Sequence, residues 1–252
     1  MKKVLLFFLS LVAFTAYAQK KVNVEVAYSA TVSMDASLEA DEWKNAKEYP
    51  FHLAKFNMKN WPKAKRKNVG NKMRYPAYAK FLWNEKSLFV GVMMEDSDVV
   101  TFGEEDQTHL YNQGDCIEVF LKPVDKTYYW EIYGTPTLKK SVFFYPGRGR
   151  RIFPACEDHP VDVSVAAEVY GTLNNWHDKD KGWSVIIEIP LEMLERQGYP
   201  LKPGSDWTML VARQNFSADL PEKEYSSHTP LSQIDYHLLE DYGKLTLLPA
   251  GK

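Results

Sequence analysis

The stretch from Tyr78 to Asp96 most constrains the fold. It reads Tyr78-Ala79-Lys80-Phe81-Leu82-Trp83, then Asn84-Glu85-Lys86, then Ser87-Leu88-Phe89-Val90-Gly91-Val92-Met93-Met94-Glu95-Asp96. Two β-prone runs separated by a short polar link predict a hairpin. The second run is apolar on both faces, which places that strand in the middle of a sheet rather than at a wet edge.

Further strands are predicted over residues 22–28, 115–122, 127–133, 138–145, 161–170, 183–189, 207–216 and 243–248. They are short and recur with turn signals at roughly ten-residue spacing. Two short helical turns interrupt them. One lies within residues 34–46, with early acids and Trp43 facing inward; the other lies within residues 190–196, where Pro190 opens the turn. Residues 57–76, rich in Lys and Asn and bounded by Pro62 and Pro76, read as a long loop. The expectation is an all-β antiparallel sandwich with one or two helical turns, forming a single domain over residues 19–252.

Residues 1–18 read as a secretory signal peptide: Lys2 and Lys3, then the apolar run Val4 to Phe14, then Ala16-Tyr17-Ala18. The apolar run is short for a bilayer span, and no later segment is long and apolar enough, so no membrane insertion is expected. Export to the periplasm or cell exterior follows. Removing Lys2 and Lys3, with no acid, takes the formal charge from −2 to −4. That balance disfavours nucleic acid as a partner. Two cysteines remain, Cys116 and Cys156; export permits a disulfide, but spacing alone does not pair them.

The chemistry concentrates in Leu110-Tyr111-Asn112-Gln113-Gly114-Asp115-Cys116-Ile117-Glu118-Val119-Phe120-Leu121. A polar loop carrying Tyr111 runs into a strand with Glu118 on the face opposite Ile117, Val119 and Leu121. An aromatic ring beside an acid suits a sugar, whose apolar face stacks on the ring while its hydroxyls donate to the carboxylate. No pair of acids stands out for glycoside hydrolysis, and no nucleophile arrangement or phosphate loop is present, so no enzyme is expected. Asp178-x-Asp180-x-Gly182 lacks the ligand pattern of a calcium loop and reads as a tight hairpin turn. No cofactor is expected.

In order along the chain, several pieces resemble carbohydrate-binding module family 9 and its DOMON-like β-sandwich relatives. They are Met34-Asp35 to Asp41-Glu42-Trp43; the Phe81 to Asp96 hairpin; Gly114-Asp115-Cys116-Ile117-Glu118; Tyr128-Tyr129-Trp130-Glu131-Ile132; Asp178-Lys179-Asp180-Lys181-Gly182-Trp183; and Tyr236-His237 to Tyr242-Gly243-Lys244-Leu245. The resemblance implies a non-catalytic carbohydrate-binding protein with an oligo- or polysaccharide partner, serving polysaccharide catabolism. It places Tyr111 and Tyr236 where the family clasps a sugar between two Trp rings, and Glu118 where the family has a hydrogen-bonding acid. The family's basic contact falls near Glu131, and His237 lies beside Tyr236. Those departures leave open a structural or interaction module that kept the scaffold without the sugar site. The same relatives also imply a haem alternative, with Met93 or Met94 and His109 or His237 as ligands, and some hold structural calcium, for which Asp96 or Asp98 would be the ligands here.

Overall fold

The computed structural model describes residues 21–53, 73–149, 162–220, 223–233 and 235–250. The leader, Cys156, Arg150, Arg151 and most of the loop at 57–76 lie outside the described residues. Thirteen strands form one continuous sheet folded on itself into two layers. The first layer runs β8 (Lys140–Tyr145), β7 (Tyr129–Gly134), β6 (Cys116–Pro123), β11 (Trp207–Asn215), β13 (Gly243–Leu247) and β1 (Asn23–Tyr28). The second runs β1, β4 (Ala77–Trp83), β5 (Ser87–Glu95), β10 (Gly182–Pro190) and β9 (Ser164–Val169). The short β12 (Glu224–Ser227) pairs with β11 and with β3 (His52–Leu53), and β2 (Tyr49–Pro50) pairs with β4.

β1 is the hinge between the layers. Asn23 to Val26 pair with Lys244 to Leu247, and Ala27 and Tyr28 pair with Leu82 and Trp83, both parallel. The sandwich is otherwise antiparallel, so β1 corrects the wholly antiparallel expectation. A strand shared by two layers turns the corner without leaving its backbone unpaired.

Alternation sets what each face buries. In β6, Ile117, Val119 and Leu121 point between the layers, where they meet Val90, Trp130, Ile132, Trp183, Val185 and Trp207. β5 lies between β4 and β10, and both its faces are covered. Leu88, Val90, Val92 and Met94 face the inter-layer core, while Phe89 packs outward against Trp43 of α1 (Asp41–Asn45), Leu38 and Ile186. That outer cover explains the doubly apolar run.

The outside of the first layer is apolar as well. Phe120, Tyr129, Tyr133, Phe143, Tyr145, Leu210 and Ala212 form a second cluster. Residues 228–233 and 235–242 lie across it, burying Leu231, Tyr236 and Tyr242. The segment is fastened to itself: Tyr242 Oη donates to the Tyr236 carbonyl at 2.7 Å, and Asp241 Oδ2 accepts from Ser232 N and Ser232 Oγ at 2.6 and 2.7 Å.

α2 (Leu191–Glu195) begins after Pro190, as the sequence suggests. The link from β9 to β10 differs from the tight turn expected at 178–182. It is a longer loop held by Asp180, whose carboxylate accepts from Val99 N and Thr172 N at 2.7 and 2.8 Å. No helix among the described residues is long and apolar enough to cross a membrane.

Candidate binding site on the outer face

A cavity of about 340 Å³ opens over the outer face of the first layer. Its base is strand: Glu118 from β6, Glu131 and Tyr133 from β7, Tyr145 from β8 and Gln214 from β11. Its rim is loop: His109 and Tyr111 on one side, Asp235, Tyr236 and His237 on another, with Lys223 and Tyr225 from the start of β12.

Gly114 and Asp115 fix the Tyr111 loop. Gly114 has φ of 132° and pairs with Thr101 so closely that a Cβ would lie 2.4 Å from Thr101 Cα. No other residue type fits there without moving the backbone. Asp115, fully buried, accepts from Val100 N and Phe216 N, each at 2.8 Å. It thereby joins the loop to the end of β11. Burial, reinforced by Asp96, pushes its carboxyl up to about 8 despite those two bonds and the Arg213 guanidinium.

The polar base is a connected network. Gln214 Nε2 donates to Glu118 Oε1 at 2.6 Å, and Tyr133 Oη donates to Glu131 Oε1 at 2.6 Å. Glu118 and Glu131 are each 2% exposed. Burial first, and then the adjacent Glu131 carboxylate, push the Glu118 carboxyl well above the usual range. The two acids come from adjacent strands, β6 and β7, and share one buried network. Gln214 Oε1 and Glu131 Oε2, both buried, receive no bond from an amide, amine or hydroxyl donor among the described residues. Lys223 Nζ lies 4.2 Å from the Phe216 ring centroid and 5.6 Å from that of Tyr225, and burial lowers its pKa.

The five sequence candidates, Tyr111, Glu118, Glu131, Tyr236 and His237, all line this one cavity. Their surroundings differ. Tyr111 is 38% exposed and meets Tyr133 edge-on, with centroids 6.4 Å apart. Tyr236 is 7% exposed, and its hydroxyl donates to the carbonyls of Arg213 and Ser226 at 2.7 and 3.3 Å. Its ring is a wall with one polar end anchored in the protein, not an open stacking face. His237 Nδ1 meets Tyr129 Oη at 2.7 Å.

Gln214, Tyr133, Tyr145, Lys223, Tyr225 and Asp235 were not singled out from sequence. Gln214 carried a readable signal: with Leu210 and Ala212 it alternates onto the apolar outer face of β11, where a polar group stands out. Lys223 and Tyr225 gave none, because their strand is short and polar.

Other candidates disperse. Met94 is in the inter-layer core and Met93 is on the outside of the second layer, away from His109 and His237. Asp96 accepts from Arg213 Nη2 at 2.8 Å and is bonded to Ser217, while Asp98 Oδ2 accepts from Ala218 N. No group of three or more His, Cys, Asp or Glu among the described residues is arranged to hold a metal ion. Cys116 is a buried free thiol. A larger depression of about 750 Å³ on the second layer, lined by Glu39, Met93, Tyr170 and Lys181 among others, has no comparable buried polar network.

No protein-family model matches this sequence, and no curated protein matches it. Solved structures do. A protein of Bacteroides uniformis to which carbohydrate binding is ascribed superposes with a TM-score of 0.67 at 12% identity, over 91% of this chain and 100% of that one. The family 9 carbohydrate-binding module of Caldicellulosiruptor kristjanssonii superposes with a TM-score of 0.58 in two structures. With cellotriose, identity is 12% over 90% of this chain and 93% of that one. With glucose, identity is 13% over 90% and 96%. The chain has the family 9 carbohydrate-binding-module fold. At such identities the likeness is one of architecture. On this module fold, the cavity's own residues must carry any statement about a ligand.

Proposed function

We propose that the chain is an exported, non-catalytic carbohydrate-binding protein that holds a sugar unit in the outer-face cavity. The observation that carries this reading is the pairing of tyrosine walls with buried, incompletely satisfied acceptors in one concave site. A buried acceptor without a donor is costly, and a sugar hydroxyl supplies donors at small size. Tyr111 offers the exposed ring for an apolar sugar face, with half-buried Tyr225 as a second surface and Tyr236 closing the wall. The shared fold with modules solved in complex with cellotriose and glucose supports the same ligand class.

Binding without turnover fits the acids. Glycoside hydrolysis uses carboxyl groups about 5–9.5 Å apart across the scissile bond. Glu118 and Glu131 instead lie on adjacent paired strands at the base of the cavity, in one buried network rather than on opposite sides of a cleft. Calorimetry of the secreted protein against cellotriose and a panel of oligosaccharides tests the reading. Saturable binding that Tyr111→Ala weakens is expected, and no heat from any glycan would sink it.

A further inference from the structure

The base of the cavity holds a buried acid, Glu131, with one side-chain oxygen that has no partner among the described residues. Glu131 is 2% exposed and its Oε1 accepts from Tyr133 Oη, while its Oε2 has no partner among the described residues. No Lys, Arg or His among the described residues forms an ion pair with it. Lys223, the amine that lines the same cavity, is placed over the Phe216 and Tyr225 rings. A carboxylate out of water is stabilised by a cation with good hydrogen-bond geometry and destabilised without one. Gln214 Oε1 adds a second buried acceptor in the same base.

A sugar hydroxyl donates one hydrogen and brings no charge. A primary ammonium donates three and brings the missing positive charge. We infer that the cavity selects a sugar unit bearing a free primary amine, whose ammonium donates to Glu131 Oε2 and Gln214 Oε1 while Tyr111 covers the ring. Asp235 at the rim adds a further acid of the same sign. An N-acetylated unit is excluded from the best contacts, because its amide has no charge and a single N–H. The inference rests on the carbohydrate reading above and names its substrate class.

The test is calorimetry of the full-length secreted protein against three trisaccharides of β-1,4-linked units: glucosamine, N-acetylglucosamine and glucose. The pH is kept where the free amine is protonated. The glucosamine trimer is expected to bind at least tenfold tighter than the other two, and its affinity to fall on adding salt, since the contact is between charges. Glu131→Gln is expected to remove the preference, while Glu195→Gln on exposed α2 leaves it intact. A far-ultraviolet melt checks that each variant is folded. Equal or tighter binding of the glucose trimer, or a preference that survives Glu131→Gln, overturns the amine assignment and leaves carbohydrate binding standing. Failure of all three sugars, with none of the wider panel bound, overturns both.

Discussion

Tyr236 Oη donates to the carbonyl oxygen of Arg213 at 2.7 Å, and the guanidinium of that same Arg213 donates to Asp96 Oδ2 at 2.8 Å on the opposite face of β11. Arg213 and Asp96 are fully shielded from solvent in this pair. Arg213 also donates to the carbonyls of Tyr75 and Glu95, so one residue ties the two layers together and anchors the cavity wall. The wall thus has little freedom to follow a ligand, and the site is organised in advance of binding.

Loss of Asp96 strands a buried guanidinium. Burial pushes the Asp96 carboxyl up and Arg213 pulls it back, and the geometry of the pair holds the two together. Asp96→Ala is expected to destabilise by about 3–5 kcal/mol, because the remaining charge has no partner. Urea denaturation measures it. A loss under 1 kcal/mol would mean that water reaches Arg213.

Tyr111 and Tyr236 separate binding from folding. Removing the exposed Tyr111 ring in Tyr111→Ala is expected to weaken sugar binding by about 1–2 kcal/mol with the melting temperature nearly unchanged. Tyr236→Ala is expected to cost roughly 3–5 kcal/mol of stability by emptying a buried aromatic site. Tyr236→Phe keeps the ring and costs about 1–3 kcal/mol by leaving the Arg213 carbonyl without its donor. Paired calorimetry and thermal melts distinguish these. Equal destabilisation by the two alanine variants would remove the distinction.

Gly91 tests why the second layer accepts Trp43. A Cβ on Gly91 would lie 2.8 Å from Trp43 Cζ3 and 2.9 Å from Leu38 Cδ2. Gly91→Ala is therefore expected to destabilise by about 1–3 kcal/mol through overpacking, with sugar affinity unchanged because the cavity is on the other layer. A variant as stable as the parent would show that α1 yields freely.

The strands of the core were legible because each face buries a regular apolar row; β5 with two such rows and Trp43 at its helical turn are the clearest cases. Three short strands escaped. β12 reads Glu224-Tyr225-Ser226-Ser227, polar in composition and held partly by Glu224 accepting from Arg74 N, 150 positions away. The parallel seam of β1 depends on two distant strands and leaves no local mark. Alternation put Glu118 on the outer face, but not under a cover, since residues 235–237, which line the cavity over it, carry no pattern naming their destination. Gln214 meets Glu118 through the register of β6 with β11, which lies in no single stretch of sequence.

The buried acids set a pH dependence of stability. Burial raises the Glu118 carboxyl well above 4.5 and the Asp115 carboxyl from 3.8 to about 8. Each group is protonated in the folded protein while the unfolded chain releases its proton at the ordinary value. For Asp115 the stabilisation is thus complete below about pH 4 and is lost as pH rises toward 8, and for Glu118 it is lost as pH rises through its raised folded value. His228, buried and lowered to about 4, acts in the opposite sense: it favours folding above 6.5 and loses that contribution as pH falls toward 4. Above pH 6.5 the His228 contribution is complete, so the loss from the buried acids is expected to lower the melting temperature between pH 7 and 9. Glu118→Gln keeps an acceptor for Gln214 without an ionisable proton. It should flatten that decline and raise stability at pH 9. Thermal melts of both proteins at pH 5, 7 and 9 decide it: parallel curves would mean that Glu118 ionises freely in the folded state.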